Sequence, residues 1–389
     1  MSSEAIELDA HVFASGPPLR LQRSIGLVKP DQLRVGRRAV IAALIAWVPL
    51  AVLTTAQTLL FSRPTAKVFL ADLSVHARYL IAIPALILAE ADLIPRLEGV
   101  VRHFVDSGMV AGSDIPRYRL AVLSTRRLLD SKFGELIALF VAYALVLAVV
   151  FYPTREALPE WQRAADGNLS LVGWWHMVIS LPLLLILLCG WLWRLALWGR
   201  FLFLMAKLDL RLLPSHPDCV GGLKFVSTSL RGFRWISFGL SAIVAGSIAE
   251  RVLYHEASLS SYRKLAIALV VFILVLSAGP LTIFVHKLRE AKKRGIFEYG
   301  ALANRLGREF ESKWLNSTPA QQDMLEAPDF SATIDYYAVA ANVYEMRDLP
   351  FNLKDLIAPV APAAVPFIIV ALLTIPVQVV VDTLIKLLI

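Results

Sequence analysis

Seven stretches of about twenty mostly apolar residues recur along the chain, and they limit its fold more than any other feature. They cover residues 39–61, 79–95, 134–152, 171–193, 235–254, 265–285 and 360–381. A helical run of this length crosses the roughly 30 Å hydrocarbon layer of a bilayer, and a helix bonds its own backbone groups where water is absent. A mean hydropathy of +0.62 and a charged fraction of only 18% agree with this interpretation. We therefore predict an all-α membrane protein with about seven transmembrane helices.

The basic residues predict how the chain is oriented. Of the 39 Lys and Arg residues, 30 lie in the four segments 1–38, 96–133, 194–234 and 286–357. Basic residues are retained on the cytoplasmic side, so we predict a cytoplasmic amino terminus and an external carboxy terminus.

The same segments define the predicted organisation. We expect a cytoplasmic tail over residues 1–38, and transmembrane helices 1–6 within residues 39–285, joined by cytoplasmic loops 96–133 and 194–234. A helical cytoplasmic annex follows over residues 286–357, and the last transmembrane helix lies within residues 358–389. The tail lacks the short apolar core and cleavage site of a signal peptide, so we expect the first span to remain in the mature protein.

The fourth span is predicted to continue beyond the bilayer. Arg194 follows the tryptophans at its inner end, and we expect it to extend its guanidinium to the interface. The apolar pattern then runs on to Pro214, with Arg200, Lys207 and Arg211 on one helical stripe. These positions predict a helix that reaches Pro214 with a basic face.

The polar sequence PSHPDCVGGL begins at this proline, in the second predicted cytoplasmic loop. His216 and Asp218 are candidates for an acid–base pair, although pairing across the intervening proline looks strained. Gly221 and Gly222 permit positive φ or a close backbone approach, and either Asp218 or Ser215 is a candidate cap for the following helix. A structural turn, a gate or ligand-contacting loop, and a catalytic loop all remain open here.

Charges at bilayer depth normally face a bundle interior or water. Glu90 and Asp92 lie towards the inner end of the second span, and on a helix they are about 200° apart. We expect one to face a cavity and the other to point to the cytoplasmic headgroups. Glu90 is the stronger candidate for a functional site, because apolar residues flank it.

The sixth and seventh spans contain helix-breaking residues that predict kinks. Gly279 and Pro280 interrupt the sixth span, and broken helices often line ion or substrate paths. Ser277, Thr282 and Gln378 supply polar groups beside these kinks. We predict that they contribute to a pore or ligand-contacting surface.

A basic cluster lies immediately after the sixth span. It consists of Lys287, Arg289, Lys292, Lys293 and Arg294. Near an anionic leaflet each such charge contributes on the order of 1 kcal/mol of binding, so we predict contact with lipid headgroups. No nucleic-acid-binding module accompanies the basic residues, and we expect no nucleic-acid partner.

Common catalytic and cofactor motifs are absent from the sequence. It has no Walker loop, no G-x-S-x-G, no H-E-x-x-H and no dinucleotide fingerprint. The two cysteines, Cys189 and Cys219, do not form a zinc pattern. We expect no catalytic residues of a common type, no metal site and no cofactor.

The loop PSHPDCVGGL, together with YGALANRLGREFESKW and EMRDLPF, resembles a family of uncharacterised bacterial inner-membrane proteins with a P-x-H-P-D-x-x-G-G-L cytoplasmic loop. The likeness covers the carboxy-terminal half. It implies a multi-pass protein of the bacterial inner membrane and brings no activity with it.

These features support three functional hypotheses. The first is a channel or transporter-like protein for an ion or small solute, with membrane lipids around it and a homo-oligomeric assembly. The second is an intramembrane enzyme acting on lipid, and the third is a membrane scaffold or sensor that transports nothing.

Overall fold

The computed structural model describes residues 12–13, 16, 35–151, 158–164, 168–254, 258–315 and 328–374. Within these ranges the regular structure is helical, with two isolated β-bridges and no strand. The all-α prediction is therefore confirmed. The α-helices longer than three turns are α1 (Val35–Phe61), α2 (Ile83–Asp106), α3 (Ile115–Leu129), α4 (Lys132–Phe151), α5 (Leu181–Ala206), α6 (Arg234–Tyr254), α7 (Arg263–Ala278), α8 (Val285–Phe310), α9 (Pro328–Glu345) and α10 (Leu353–Thr374).

Several of these helices have irregular neighbours. π-Helical segments, Ala77–Ala82 and His176–Ser180, precede α2 and α5 respectively. A 3₁₀ segment, Leu223–Phe233, leads into α6, and another, Gly279–Phe284, separates α7 from α8. The predicted break at Gly279–Pro280 is thus present as a local change from α to 3₁₀ geometry. The short helices are Thr65–Ala71, Leu73–His76 and Leu171–Trp175.

Five continuous helical segments are long and apolar enough to cross a membrane, and the bent pair that contains α3 and α4 makes a sixth. Each of the seven predicted spans contains a helix, but α2 is not among the segments that pass this test. Glu90, Asp92, Arg96 and Glu98 give α2 too much charge for a typical span. The structure is therefore consistent with seven spans, of which length and apolar composition identify five or six among the described residues.

Apolar side chains cover the outer faces of the bundle. Phe140 on α4 and Val275 on α7 are 75% and 63% exposed, respectively. Exposed apolar surface of this kind faces lipid in a membrane protein, where it needs no further cover.

Inside the bundle, α1 packs along α2, α5 packs against α4, and α6 packs along α10. Ala245 and Ala249 of α6 form a small apolar cluster with Val370 of α10. On another side of α6, a Cβ at Gly246 would lie 2.4 Å from that of Ala77. The small residues of the predicted fifth span therefore permit close packing within one chain.

Two ends of the bundle can be named from their contacts. The annex end carries α8, α9, the 107–114 connection and the loop 207–222, and the far end carries residues 62–76 and 158–170. At the annex end, Phe13 from the amino-terminal tail is buried against Trp198 and Phe201 of α5. The segment 286–357, predicted as a helical annex, contains most of α8 and all of α9.

The fourth span departs from its prediction at this end. Its helix ends at Ala206, not at Pro214. Beyond it, the backbone N–H of Asp209 donates to the Asp114 carboxylate at 2.7 Å, and Leu210 forms a β-bridge with Val110. The 107–114 connection therefore forms hydrogen bonds with backbone groups that a longer helix would have bonded internally. The predicted basic stripe is consequently not a continuous helical face.

Candidate functional site

The Asp218 side chain organises the loop 207–222. Its Oδ1 accepts hydrogen bonds from the backbone N–H groups of Val220 and Gly222 at 2.9 and 3.1 Å. Its Oδ2 accepts from the backbone N–H of Lys224 at 3.1 Å. Val220 and Gly222 precede the 3₁₀ segment Leu223–Phe233, and Lys224 is its second residue. The first N–H groups of such a segment have no partners within it. Asp218 therefore caps this segment, as the sequence suggested.

His216 pairs with Asp218 directly, across the intervening proline. The His216 Nδ1 lies 2.8 Å from Asp218 Oδ1. Loop backbone on both sides of Pro217 curves as two consecutive turns, which brings the two side chains to one side. Burial by itself would raise the pKa of Asp218, but the three backbone N–H donors and His216 together lower it. The carboxylate is thus stabilised in its charged form, and each of its oxygens accepts at least one backbone hydrogen bond.

The glycine pair has the role that its sequence predicts. Gly221 and Gly222 have φ values of +65° and +92°, and Cys219 has a φ of +55°. A Cβ at Gly221 would lie 3.2 Å from Met346 Cε. The turn needs left-handed backbone conformations, and the segment after α9 presses against it.

The annex is attached to the loop 207–222 mainly through hydrogen bonds to the backbone of the loop. The Arg347 N–H donates to the Cys219 carbonyl at 2.7 Å, and its guanidinium donates to the Asp218 carbonyl at 3.0 Å. The Ser215 hydroxyl lies 3.0 Å from that of Tyr299 on α8. The Arg211 N–H donates to the Met109 carbonyl at 2.8 Å, in the 107–114 connection. The loop therefore joins both annex helices to the connection that follows α2.

Glu90 is part of a buried charge cluster between α1, α2 and α5. Its Oε2 accepts from Arg38 Nη1 at 2.8 Å, and the two side chains are 1% and 3% exposed. Arg194 is also buried and interacts electrostatically with both partners. The guanidinium of Arg194 lies over the Trp191 ring, 4.7 Å from its centroid. Arg194 is therefore enclosed by protein, and the expectation that it extends to the interface is not met.

Asp92 faces a different side of α2. Its Oδ1 accepts hydrogen bonds from Arg234 Nη2 at 3.0 Å and from Arg96 Nη2 at 3.1 Å, and Arg234 Nε lies 2.7 Å from its Oδ2. Both arginines are partly exposed, which makes this a bridge between α2 and the start of α6. The structure thus separates Glu90 from Asp92 as their helical spacing predicts.

The polar groups predicted in the sixth span bond to their own helix. The buried Ser277 hydroxyl donates to the Ile273 carbonyl at 2.7 Å, and the exposed Thr282 hydroxyl donates to the Gly279 carbonyl at 2.7 Å. Pro280 packs near Gly199 of α5. Gln378 lies outside the described residues. The described members of this set, Ser277 and Thr282, thus bond within their own helix, and Glu90 pairs with Arg38 instead.

The basic cluster after the sixth span divides into two sets. Arg289 pairs with Asp348 at 2.9 Å, and Arg294 donates to the Leu212 carbonyl at 3.4 Å. Both thereby attach α8 to neighbouring segments. Lys287, Lys292 and Lys293 are partly or fully exposed, and their contact with lipid headgroups stays a prediction.

Tyr79 and His176 form a buried polar pair that the sequence did not single out. Their rings lie 5.9 Å apart between centroids, one in each of the two π-helical segments. Tyr79 is completely buried and His176 is 3% exposed. Among the described residues, neither the Tyr79 hydroxyl nor either ring nitrogen of His176 has a hydrogen-bond partner. A π-helical segment gives no simple residue pattern, so the sequence offers no local signal for this pair.

The described residues contain no group of three or more His, Cys, Asp or Glu side chains arranged to hold a metal ion. Comparisons with protein-family models, with curated proteins and with solved structures found no match to this chain. The functional argument therefore depends on the geometry of its own residues.

Proposed function

We propose that this integral membrane protein is a channel or transporter-like protein for an ion or small solute. The observation that carries the proposal is the buried Arg38–Glu90 pair, with Arg194 beside it, between α1, α2 and α5. Removing charges from water costs several kcal/mol per ion even after relaxation. Ionisable groups held inside a membrane bundle commonly belong to ion or substrate paths.

A second set of polar groups supports a path along the same helices. Tyr79 and His176 lie nearer the far end of the α1, α2 and α5 interface, and both occur where regular α-helix is interrupted. Eleven residues separate Tyr79 from Glu90, which is about 16 Å along a helix. That distance is about half of a hydrocarbon layer. We therefore place the proposed path between α1, α2 and α5, rather than along the sixth and seventh spans.

Apolar side chains separate the two polar sets. Leu86 and Ile87 lie between them on α2, and both are buried. The Trp191 indole N–H donates to the Leu86 carbonyl at 2.9 Å, which attaches α5 to α2 at this level. In the proposal this apolar layer is a closed gate, and opening requires α2 and α5 to separate.

Flux into proteoliposomes tests the proposal. The informative variant is the double substitution Arg38→Gln with Glu90→Gln, because it removes the two paired charges together and leaves Arg194 over the Trp191 ring. We expect it to fold and to lose most of the flux, whereas Asp92→Asn, on the other face of α2, retains flux. Wild-type protein that moves no solute across a broad panel of ions and small molecules would refute transport. Unchanged flux in the double variant would refute the proposed path.

The homo-oligomer also remains a proposal, supported by the annex surface. Phe297 and Ile334 are 70% and 64% exposed on α8 and α9. Apolar side chains outside the membrane favour contact with a second surface. We propose a second copy of the chain. Cysteine crosslinking at position 297, compared with the basic surface position Lys293, tests it.

A scaffold or sensor is the second candidate. It is favoured by the hydrogen bonds that Ser277 and Thr282 make within their own helix, because such groups offer nothing to a passing solute. A lipid-processing enzyme is less well supported, since Asp218 already accepts three backbone hydrogen bonds. A scaffold predicts specific capture of a protein partner through the annex with no flux in any condition.

A further inference from the structure

An apolar groove lies at the far end of α1. Its volume is about 680 Å³, which is within the usual range for small-ligand sites, about 300–1,000 Å³. Side chains from the last turns of α1 form one wall, and the segment before and within the helix Leu171–Trp175 forms the other. The apolar lining includes Leu53, Ala56, Leu60, Phe61, Leu171 and Trp174.

Two arginines lie at one end of this groove. Arg63 and Arg163 line it, and they also line an adjoining cavity of about 290 Å³ that Glu160 borders. Arg63 is exposed and Arg163 is partly buried. The Arg163 Nε is buried without a hydrogen-bond partner in the described part of the chain. Among the described residues that line the two cavities, two guanidinium groups and one carboxylate give this end of the groove a net positive charge.

The groove has the position of a membrane boundary. Leu60 and Phe61 are 76% and 68% exposed at the end of the apolar helix α1, where they face lipid. Trp174, 56% exposed, lies at the opposite wall, and tryptophan is enriched at headgroup level. The apolar part therefore opens towards acyl chains, and the arginines lie where the headgroups begin.

We propose that this groove is a binding site for an anionic phospholipid of the leaflet at the far end, with an acyl chain along α1 and the phosphate held by Arg63 and Arg163. Guanidinium groups bind phosphate through paired, charge-assisted hydrogen bonds. The apolar walls match an acyl chain, and a free phosphate would use only the arginines. The basic cluster on α8 lies at the annex end, so this is a separate site. The proposal does not depend on transport.

Lipid retention by the full-length protein tests the site. Detergent-purified protein is exchanged into equimolar phosphatidylglycerol and phosphatidylcholine, and the lipids retained after delipidation are counted by native mass spectrometry. We expect wild type to retain at least fivefold more phosphatidylglycerol. Arg63→Gln with Arg163→Gln should abolish that preference. The matched control is Arg251→Gln, an exposed arginine at the same end of the bundle that does not line the groove, and it should behave as wild type.

Further arms separate the lipid from a free anion. Ala56→Trp fills the apolar part and should reduce retention of both lipids, while inorganic phosphate at 10-fold excess over lipid should not displace phosphatidylglycerol. A photoactivatable phosphatidylglycerol should crosslink wild-type protein within residues 53–63 or 169–174, which needs no variant to fold. Equal retention of the two lipids by wild type, displacement by phosphate, or crosslinks confined to other segments would each overturn the proposal.

Discussion

The buried charge cluster predicts unequal effects on stability when its members are removed singly. Glu90→Gln leaves Arg38 and Arg194 as two cations in the same buried interface. Arg38→Gln leaves Glu90 with Arg194, which interacts with it electrostatically. Removing one partner of a buried ion pair costs about 3–5 kcal/mol. We therefore expect Glu90→Gln to lower the free energy of unfolding by about 3–5 kcal/mol and Arg38→Gln by about half as much.

The double variant completes the cycle. Glu90→Gln in an Arg38→Gln background leaves one cation, Arg194, over the Trp191 ring. We therefore expect the destabilisation of the double variant to be smaller than the sum of the two single effects by at least about 1 kcal/mol. This difference is within the usual ~0.5–3 kcal/mol for contacting residues. The measurement is denaturant-induced unfolding in a mild detergent, followed by tryptophan fluorescence. Additive effects, or a larger cost for Arg38→Gln than for Glu90→Gln, would refute the reasoning about Arg194.

Three further predictions follow from other sites. Asp218→Ala removes the acceptor of three backbone N–H groups, so it should lower the unfolding free energy by about 2–4 kcal/mol. The control is Asp130→Ala, since Asp130 forms an exposed pair with Arg126 at 3.8 Å. This control should change the unfolding free energy by less than about 1 kcal/mol. Equal effects would contradict the capping role. Since the folded pKa of Asp218 is lowered, its stabilisation is fully present above the ordinary aspartate pKa of about 3.9 and is lost as the pH falls through the lower folded value. Thermal midpoints at pH 7, 5 and 3 should therefore converge between wild type and Asp218→Ala only at the acid end, and convergence by pH 5 would contradict this. Tyr79→Phe deletes a buried hydroxyl without a described partner, so it should leave stability within about 1 kcal/mol while lowering solute flux; a larger loss of stability in the unfolding assay would reveal a partner for the hydroxyl.

The sequence predicts the class of fold because the membrane imposes a local rule. Any segment in lipid must bond its own backbone, so apolar length alone indicates helices. The same locality explains why Glu90 and Asp92 could be assigned to different faces of α2. The spacing of two residues along a helix determines the angle between their side chains around its axis, whichever helices surround it.

Partners at long sequence separation could not be predicted in this way. Arg38 and Glu90 are 52 residues apart, and no local pattern pairs them. Arg194 looked like an interfacial residue because its own helix offers it only lipid and water, whereas α1 and α2 enclose it. The end of α5 was misplaced for a similar reason, since Asp114 and Val110 compete for the backbone beyond Ala206.

The junction formed by the loop 207–222 has a mechanical consequence. Backbone hydrogen bonds connect it to Met109 after α2 and to Arg347 after α9, and the capped 3₁₀ segment leads from it without interruption into α6. Segments joined by backbone hydrogen bonds can move less relative to each other than segments joined only by long surface side chains. A displacement of the annex is therefore expected to move the ends of α2, α5 and α6 together. A molecule that binds the annex would thereby change the packing of these three helices.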